Sequence, residues 1–149
     1  MKHILVPLGV VLVVVWTLWN LWNLFRIAGG LRDGGWRRPV WWARVLSVSL
    51  CAGLLAWVWG LFTGGLDVRD TCLYLRHENY DEAYRKAHTE EFSKLFPLHN
   101  KCNADYDLVP AWVNPTVVIL AVVALVALAV LLRFAFARLV SPSRKEHQS

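Results

Sequence analysis

The chain has 149 residues, 56% of them hydrophobic, with nine tryptophans and a formal net charge of +5. A soluble domain of this length would spread its apolar residues along the chain; here they gather in three long runs, which argues against an ordinary water-soluble fold. The positive charge lies mainly beside those runs, so membrane lipids with anionic headgroups are the expected partner and nucleic acid is not.

The first run, residues 4–25, carries no charge. A helix needs about 20 apolar residues to span the hydrocarbon core, so the first transmembrane helix is expected over 1–26. The run exceeds the roughly 7–15 residues of a signal-peptide core and no A-x-A site follows, so it reads as a permanent anchor. Its end, "WTLWNLWNLF", sets Trp16, Trp19 and Trp22 near one side with Asn20 and Asn23. These read as an aromatic belt with asparagines bonding between helices or to headgroups; a pocket for a lipid or quinone-like ring is the alternative.

The connection 27–39 contains two Gly-Gly pairs and is expected to be a mobile turn. Arg37 and Arg38 should meet phosphate headgroups, with Trp41 and Trp42 in the interface. The second span is expected over 40–64. Its Ser49, Gly53, Ala56 and Gly60 form a stripe of small residues, a helix-packing face or a docking face for another subunit.

Residues 65–113 are the most polar part of the chain, with Cys72 and Cys102 near the two ends. A disulfide between them closes a loop of about 30 residues and adds roughly 3–4 kcal/mol. So small a loop cannot build a large core and needs a staple. Within it, Asn79 and Glu82 predict a capped helix running from Tyr80 to about Leu95, stopped by Pro97. Tyr80, Tyr84, His88, Glu91 and Phe92 share its apolar face and are the candidate partner-binding residues.

His88 and Glu91 are one turn apart, with His77 and His99 nearby, but neither HExxH nor CxxC supports a metal, and none is expected. Asn103, Asp105 and Asp107 resemble the start of a calcium loop; Leu108 and Asn114 stand where glycine and glutamate are required, so Asx turns are the better reading. No phosphate loop, nucleophile elbow or kinase motif is present, and no catalytic residue or cofactor is expected.

The third span is expected over 114–139, with Asn114 capping, Pro115 at the first helical position and Trp112 at the interface. Residues 140–149 are expected to be a disordered tail. The fold class is therefore all-α: three transmembrane helices with a small, partly helical, disulfide-closed loop between the second and third.

Arg26, Arg32, Arg37, Arg38 and Arg44 accompany only Asp33 in the first connection, and Arg133, Arg138, Arg144 and Lys145 lie at the C-terminal end. The loop 66–110 holds six basic against nine acidic residues. Positive segments stay cytoplasmic, so the expected topology has the N-terminus and the loop outside and the C-terminus inside. Disulfides persist on that outer side, in agreement. Heavy use of arginine, alanine, valine and tryptophan points to a bacterial inner membrane.

The function expected is non-enzymatic: an accessory subunit, assembly factor or protective partner of an envelope complex, binding another membrane or envelope protein through the outer loop. A ligand- or ion-binding sensor or transport component is the alternative. It is weakened because no span interior holds an acidic or basic residue, as proton or ion paths usually do. A lipid-acting enzyme using His77, His88 or His99 with a nearby acid is less expected still.

Overall fold

The computed structural model describes residues 2–140 and is helical throughout its three long elements. In order these are α1 (Lys2–Arg32), a 3-10 turn (Gly35–Arg37), α2 (Pro39–Leu61), α3 (Val68–Asp70), a π-helical turn (Thr71–Leu75), α4 (Glu82–Ala87), α5 (Thr89–Phe92) and α6 (Val113–Val140). Three helices are long and apolar enough to cross a membrane: Gly9–Arg32, Pro39–Leu61 and Val113–Val140. Their many valines would disfavour a helix in water. In lipid, only a helix or a closed barrel leaves no backbone group unpaired. The expected tail beyond Val140 lies outside the described residues.

The chain divides into two compact units, residues 1–52 with 120–149, and residues 53–119. The first unit buries small and polar side chains: Asn20, Asn23, Ser49, Cys51, Ala124 and Ala127. Small side chains let membrane helices approach closely, and polar ones bond across them. Asn20 does both jobs of an amide, donating to the Trp16 carbonyl at 2.9 Å and accepting from Ser47 Oγ at 2.9 Å. Of the small-residue stripe, Ser49 is buried in this unit.

The connection between α1 and α2 corrects one expectation. Instead of a mobile turn starting near residue 27, α1 continues through Gly29 and Gly30 to Arg32. Tertiary contact overrides the poor helix propensity of glycine. Trp41 Nε1 donates to the Ile27 carbonyl at 3.1 Å, and its ring lies where a Gly30 Cβ would be, 2.5 Å from Cδ1. Gly35 approaches Gly30 so closely that its own Cβ would stand 3.0 Å from the Gly30 Cα. Gly34, at φ 67°, turns the chain where a side chain would strain it. The glycines serve close approach and a left-handed turn.

The second unit is the loop domain, here called the cap, with the adjoining ends of α2 and α6. One apolar cluster is Cys72, Cys102 and Leu108, with Val68, Tyr80 and Tyr106 packed on it. A second is Leu98, Val109 and Val113, with Trp57 and Val117. The Cys72–Cys102 disulfide is formed, with Cα atoms 5.8 Å apart. Ala56 and Gly60, from the small stripe, are buried, and Gly53 is half-buried. A Cβ on Gly60 would stand 2.6 Å from Leu98 Cδ1 and 2.8 Å from Val113 Cγ1, so glycine there lets both side chains close over α2.

Three further expectations are corrected in the second unit. The helix predicted from Tyr80 to Leu95 is broken into α4 and α5 at His88. The hydroxyl of Thr89 donates to the Arg85 and Lys86 carbonyls and so satisfies the end of α4 from the side chain. Ser93 does the same to Glu90 at the end of α5. The cap of α4 is Asp81, accepting from Tyr84 N at 2.9 Å, rather than Asn79. At the other end, α6 begins at Val113, so Asn114 is inside it. Its side chain accepts from Leu98 N and donates to the Leu98 carbonyl, each at 2.9 Å. Pro115 still falls in the first turn, where its missing N–H costs nothing.

Candidate functional site

Each of the candidate partner-binding residues takes a defined place. Tyr80 and Phe92 meet through Arg85, whose guanidinium carbon lies 5.9 Å from the Tyr80 ring centroid and 4.8 Å from that of Phe92. Arg85 Nη1 also donates to Asn100 Oδ1 at 3.0 Å and to the Lys101 carbonyl at 2.5 Å. The arginine therefore ties α4 to the segment 100–101. Tyr84 and His88 form a separate stacked pair, centroids 4.1 Å apart, with His88 Nδ1 2.8 Å from the Tyr84 carbonyl oxygen. Glu91 joins neither group. The five residues share a segment but do not converge on one point, because the break at His88 turns α5 away from the continuous face that a single helix would have offered.

The segment 99–109 is a tight reversal. Asn103 Oδ1 accepts from Asp105 N and Tyr106 N, the Asx turn that its residue type favours. Cys102 N then bonds the Tyr106 carbonyl and Leu108 N the Asn100 carbonyl. This pairing brings His99 beside Asp107. His99 Nδ1 lies 2.8 Å from Asp107 Oδ2, while Asp107 Oδ1 accepts from Asn100 N at 3.0 Å and Val109 N at 2.9 Å. The pair is partly exposed, with side chains 32% and 25% accessible. Sequence reasoning named both residues but not their partnership. The cue was the alternation of Asn103, Asp105 and Asp107, which marks a turn that must bring its flanks together.

Such a carboxylate–imidazole pair can orient a histidine for proton transfer. Here the carboxylate also holds two backbone N–H groups, so it closes the reversal as well. His99 borders a cavity of about 230 Å³ that it shares with Arg85, Phe92, Lys94 and Asn100. Among the described residues, no three His, Cys, Asp or Glu side chains gather where a metal could be held. On the outer side of α4, Lys86 Nζ lies 2.7 Å from Glu82 Oε1. That bond and the ammonium charge hold the Glu82 carboxyl below the usual carboxylate range, and Glu82 in turn raises Lys86.

While its polar side chains bond inward, the cap presents large apolar ones outward. Tyr74 and Leu75 in the π-helical turn are 71% and 72% exposed, and Leu95 is 69% exposed beside an exposed Phe96. Trp57 Nε1 donates to the Leu95 carbonyl at 2.9 Å and so fixes that edge. These residues were missed as binding candidates, although "CLYL" is an apolar run inside a polar loop. Of the expected interface tryptophans, Trp19, Trp22 and Trp112 are exposed, and Trp16, Trp41 and Trp42 are half-buried. Trp42 Nε1 donates to the Trp36 carbonyl, and Arg37 lies 5.1 Å over the Trp36 ring. Arg38 is exposed. Comparison with protein-family models, curated proteins and solved structures finds no match to this chain.

Proposed function

We propose that this is a non-enzymatic multi-pass membrane protein that serves an envelope complex as accessory subunit, assembly factor or protective partner, docking another membrane or envelope protein on its cap. The observation that carries the reading is the exposure of Tyr74, Leu75, Leu95 and Phe96 on a loop braced by the Cys72–Cys102 disulfide. Apolar and aromatic side chains on a rigid support lose little entropy on binding and are the usual centre of a protein interface. The histidine–aspartate pair and Arg85 are engaged in holding the cap together, which favours binding over catalysis. The charge pattern of the connections and the disulfide support a bacterial inner membrane with the N-terminus and cap outside and the C-terminus in the cytoplasm.

The test is affinity purification of the tagged protein from native membranes in mild detergent, with mass spectrometry of what copurifies. A stoichiometric protein partner is expected, lost when Cys72 and Cys102 are both changed to Ser and when Tyr74 and Leu75 are both changed to Ser. Purification of the protein alone in every form would contradict the reading. A ligand-binding sensor is the second reading, favoured by the cavity bordered by Arg85, Lys94 and His99.

A further inference from the structure

The end of α1 and the start of α2 border an open cavity of about 610 Å³. It is independent of the cap and of the reading placed on it. Three arginines border it: Arg26 from α1, Arg38 from the connection and Arg44 from α2, against one carboxylate, Asp33. Among the described residues, the ion pairs are Lys86–Glu82 and His99–Asp107, so none of the three arginines is neutralised by a carboxylate. Arg26 lies 5.9 Å over the Trp22 ring.

Depth makes the arrangement specific. Arg26 lies six residues before the end of α1 and Arg44 five residues after the start of α2. At 1.5 Å per residue both sit roughly 7.5–9 Å in from their helix ends, at similar levels. Arg38 stands at the mouth. Trp22 and Phe25 line the cavity on the side of the long apolar run of α1, and Trp41 forms part of the wall. Val40 and Trp41 stand between Arg38 and Arg44, and Trp22 lies one turn further in than Arg26, so the lining sets cationic groups beside aromatic and apolar ones. A phospholipid offers both kinds of contact, and arginines without a carboxylate partner among the described residues, set beside a long apolar run, favour an anion. A guanidinium binds phosphate oxygens by paired hydrogen bonds, as an ammonium does not. The close contact of Gly30 with Trp41 and Gly35 fixes the walls in advance.

We propose that this cavity is a binding site for one anionic phospholipid from the leaflet around it. Its phosphate lies between Arg26 and Arg44, with Arg38 over the rest of the headgroup and the acyl chains along Trp22 and Phe25. The test is native mass spectrometry of the full chain in detergent, mixed with equal amounts of phosphatidylglycerol and phosphatidylcholine of the same acyl chains. One phosphatidylglycerol should be retained over phosphatidylcholine by about tenfold or more: both lipids carry the phosphate, but choline would set a further cation among the three arginines of the lining.

The R26Q/R44Q variant should lose that preference while its far-ultraviolet circular dichroism stays helical. R38Q should weaken it by about threefold, as a single contact at the mouth. R69Q, whose arginine lies in α3 of the cap and outside the cavity lining, should leave it unchanged. Millimolar inorganic phosphate should not displace the lipid. Equal retention of the two lipids, an unaltered preference in both R26Q/R44Q and R38Q, or displacement by phosphate alone would overturn the proposal.

Discussion

The two units meet the same demand, that no buried backbone group be left unpaired, by different means. In 1–52 with 120–149 the helices bond their own backbones, and the buried side chains among the described residues are Asn20, Asn23, Ser49, Cys51, Ala124 and Ala127. Over 18 residues of each span, 11% are buried in α1 and in α6 and 22% in α2, so most of each helix faces outward. In the cap the helices have six residues or fewer, and side chains do the pairing. Asp67, Asp81, Asn103, Asp107 and Asn114 all accept backbone N–H groups. An apolar solvent enforces regular structure without help from particular residues, whereas a short loop in water needs individual acceptors and a covalent staple.

That contrast is open to attack at single residues. The largest effect should come from changing both Cys72 and Cys102 to Ser. The cap should lose about 3–4 kcal/mol, seen as rapid proteolysis of the loop in vesicles, while helix content by circular dichroism stays unchanged. Loss of helix content in that variant would mean the spans depend on the cap.

Asp107→Ala should cost the cap about 2–3 kcal/mol with the disulfide intact, because Asn100 N, Val109 N and His99 all lose their acceptor. Faster amide exchange at Asn100 and Val109 is the local sign to look for. In the first unit, Asn20→Leu should cost only about 0.5–1 kcal/mol, by unfolding in a graded detergent mixture, since hydrogen bonds between membrane helices are worth little. A loss as large as that of Asp107→Ala would erase the distinction between the units.

Smallest is Glu82→Gln, which should leave the thermal midpoint unchanged, because Glu82 and Lys86 are fully exposed. Lys86 lowers the Glu82 pKa in the folded chain, so any contribution is present above the unfolded carboxyl pKa. It fades as pH falls through the lowered folded value. Carboxyl titration by NMR should show Glu82 ionising below an ordinary glutamate, and a return to the ordinary value in Lys86→Gln.

What could be read from the sequence follows the same division. The three spans were legible because a long uncharged run needs no knowledge of its neighbours. The Cys72–Cys102 bridge was legible because the polar loop holds those two cysteines and no other. The extension of α1 to Arg32 was not, since it rests on Trp41 closing over Gly30 from fourteen residues beyond Ile27. Nor was the break at His88, which depends on the hydroxyl of Thr89 choosing the carbonyls of Arg85 and Lys86. The pairing of His99 with Asp107 and the outward aim of Tyr74 and Leu75 are products of chain reversals. Periodicity describes one element at a time and carries no information about such reversals.

If the proposed function holds, the cap is the face that meets another protein. A photo-crosslinking amino acid placed in turn at Tyr74, Leu75 and Phe96 of the cap, and at Leu125 on the exposed side of α6, would test this in native membranes. The account predicts a crosslink to one common protein from the three cap positions and none from Leu125. Crosslinks from Leu125 alone, with the cap positions silent, would contradict it.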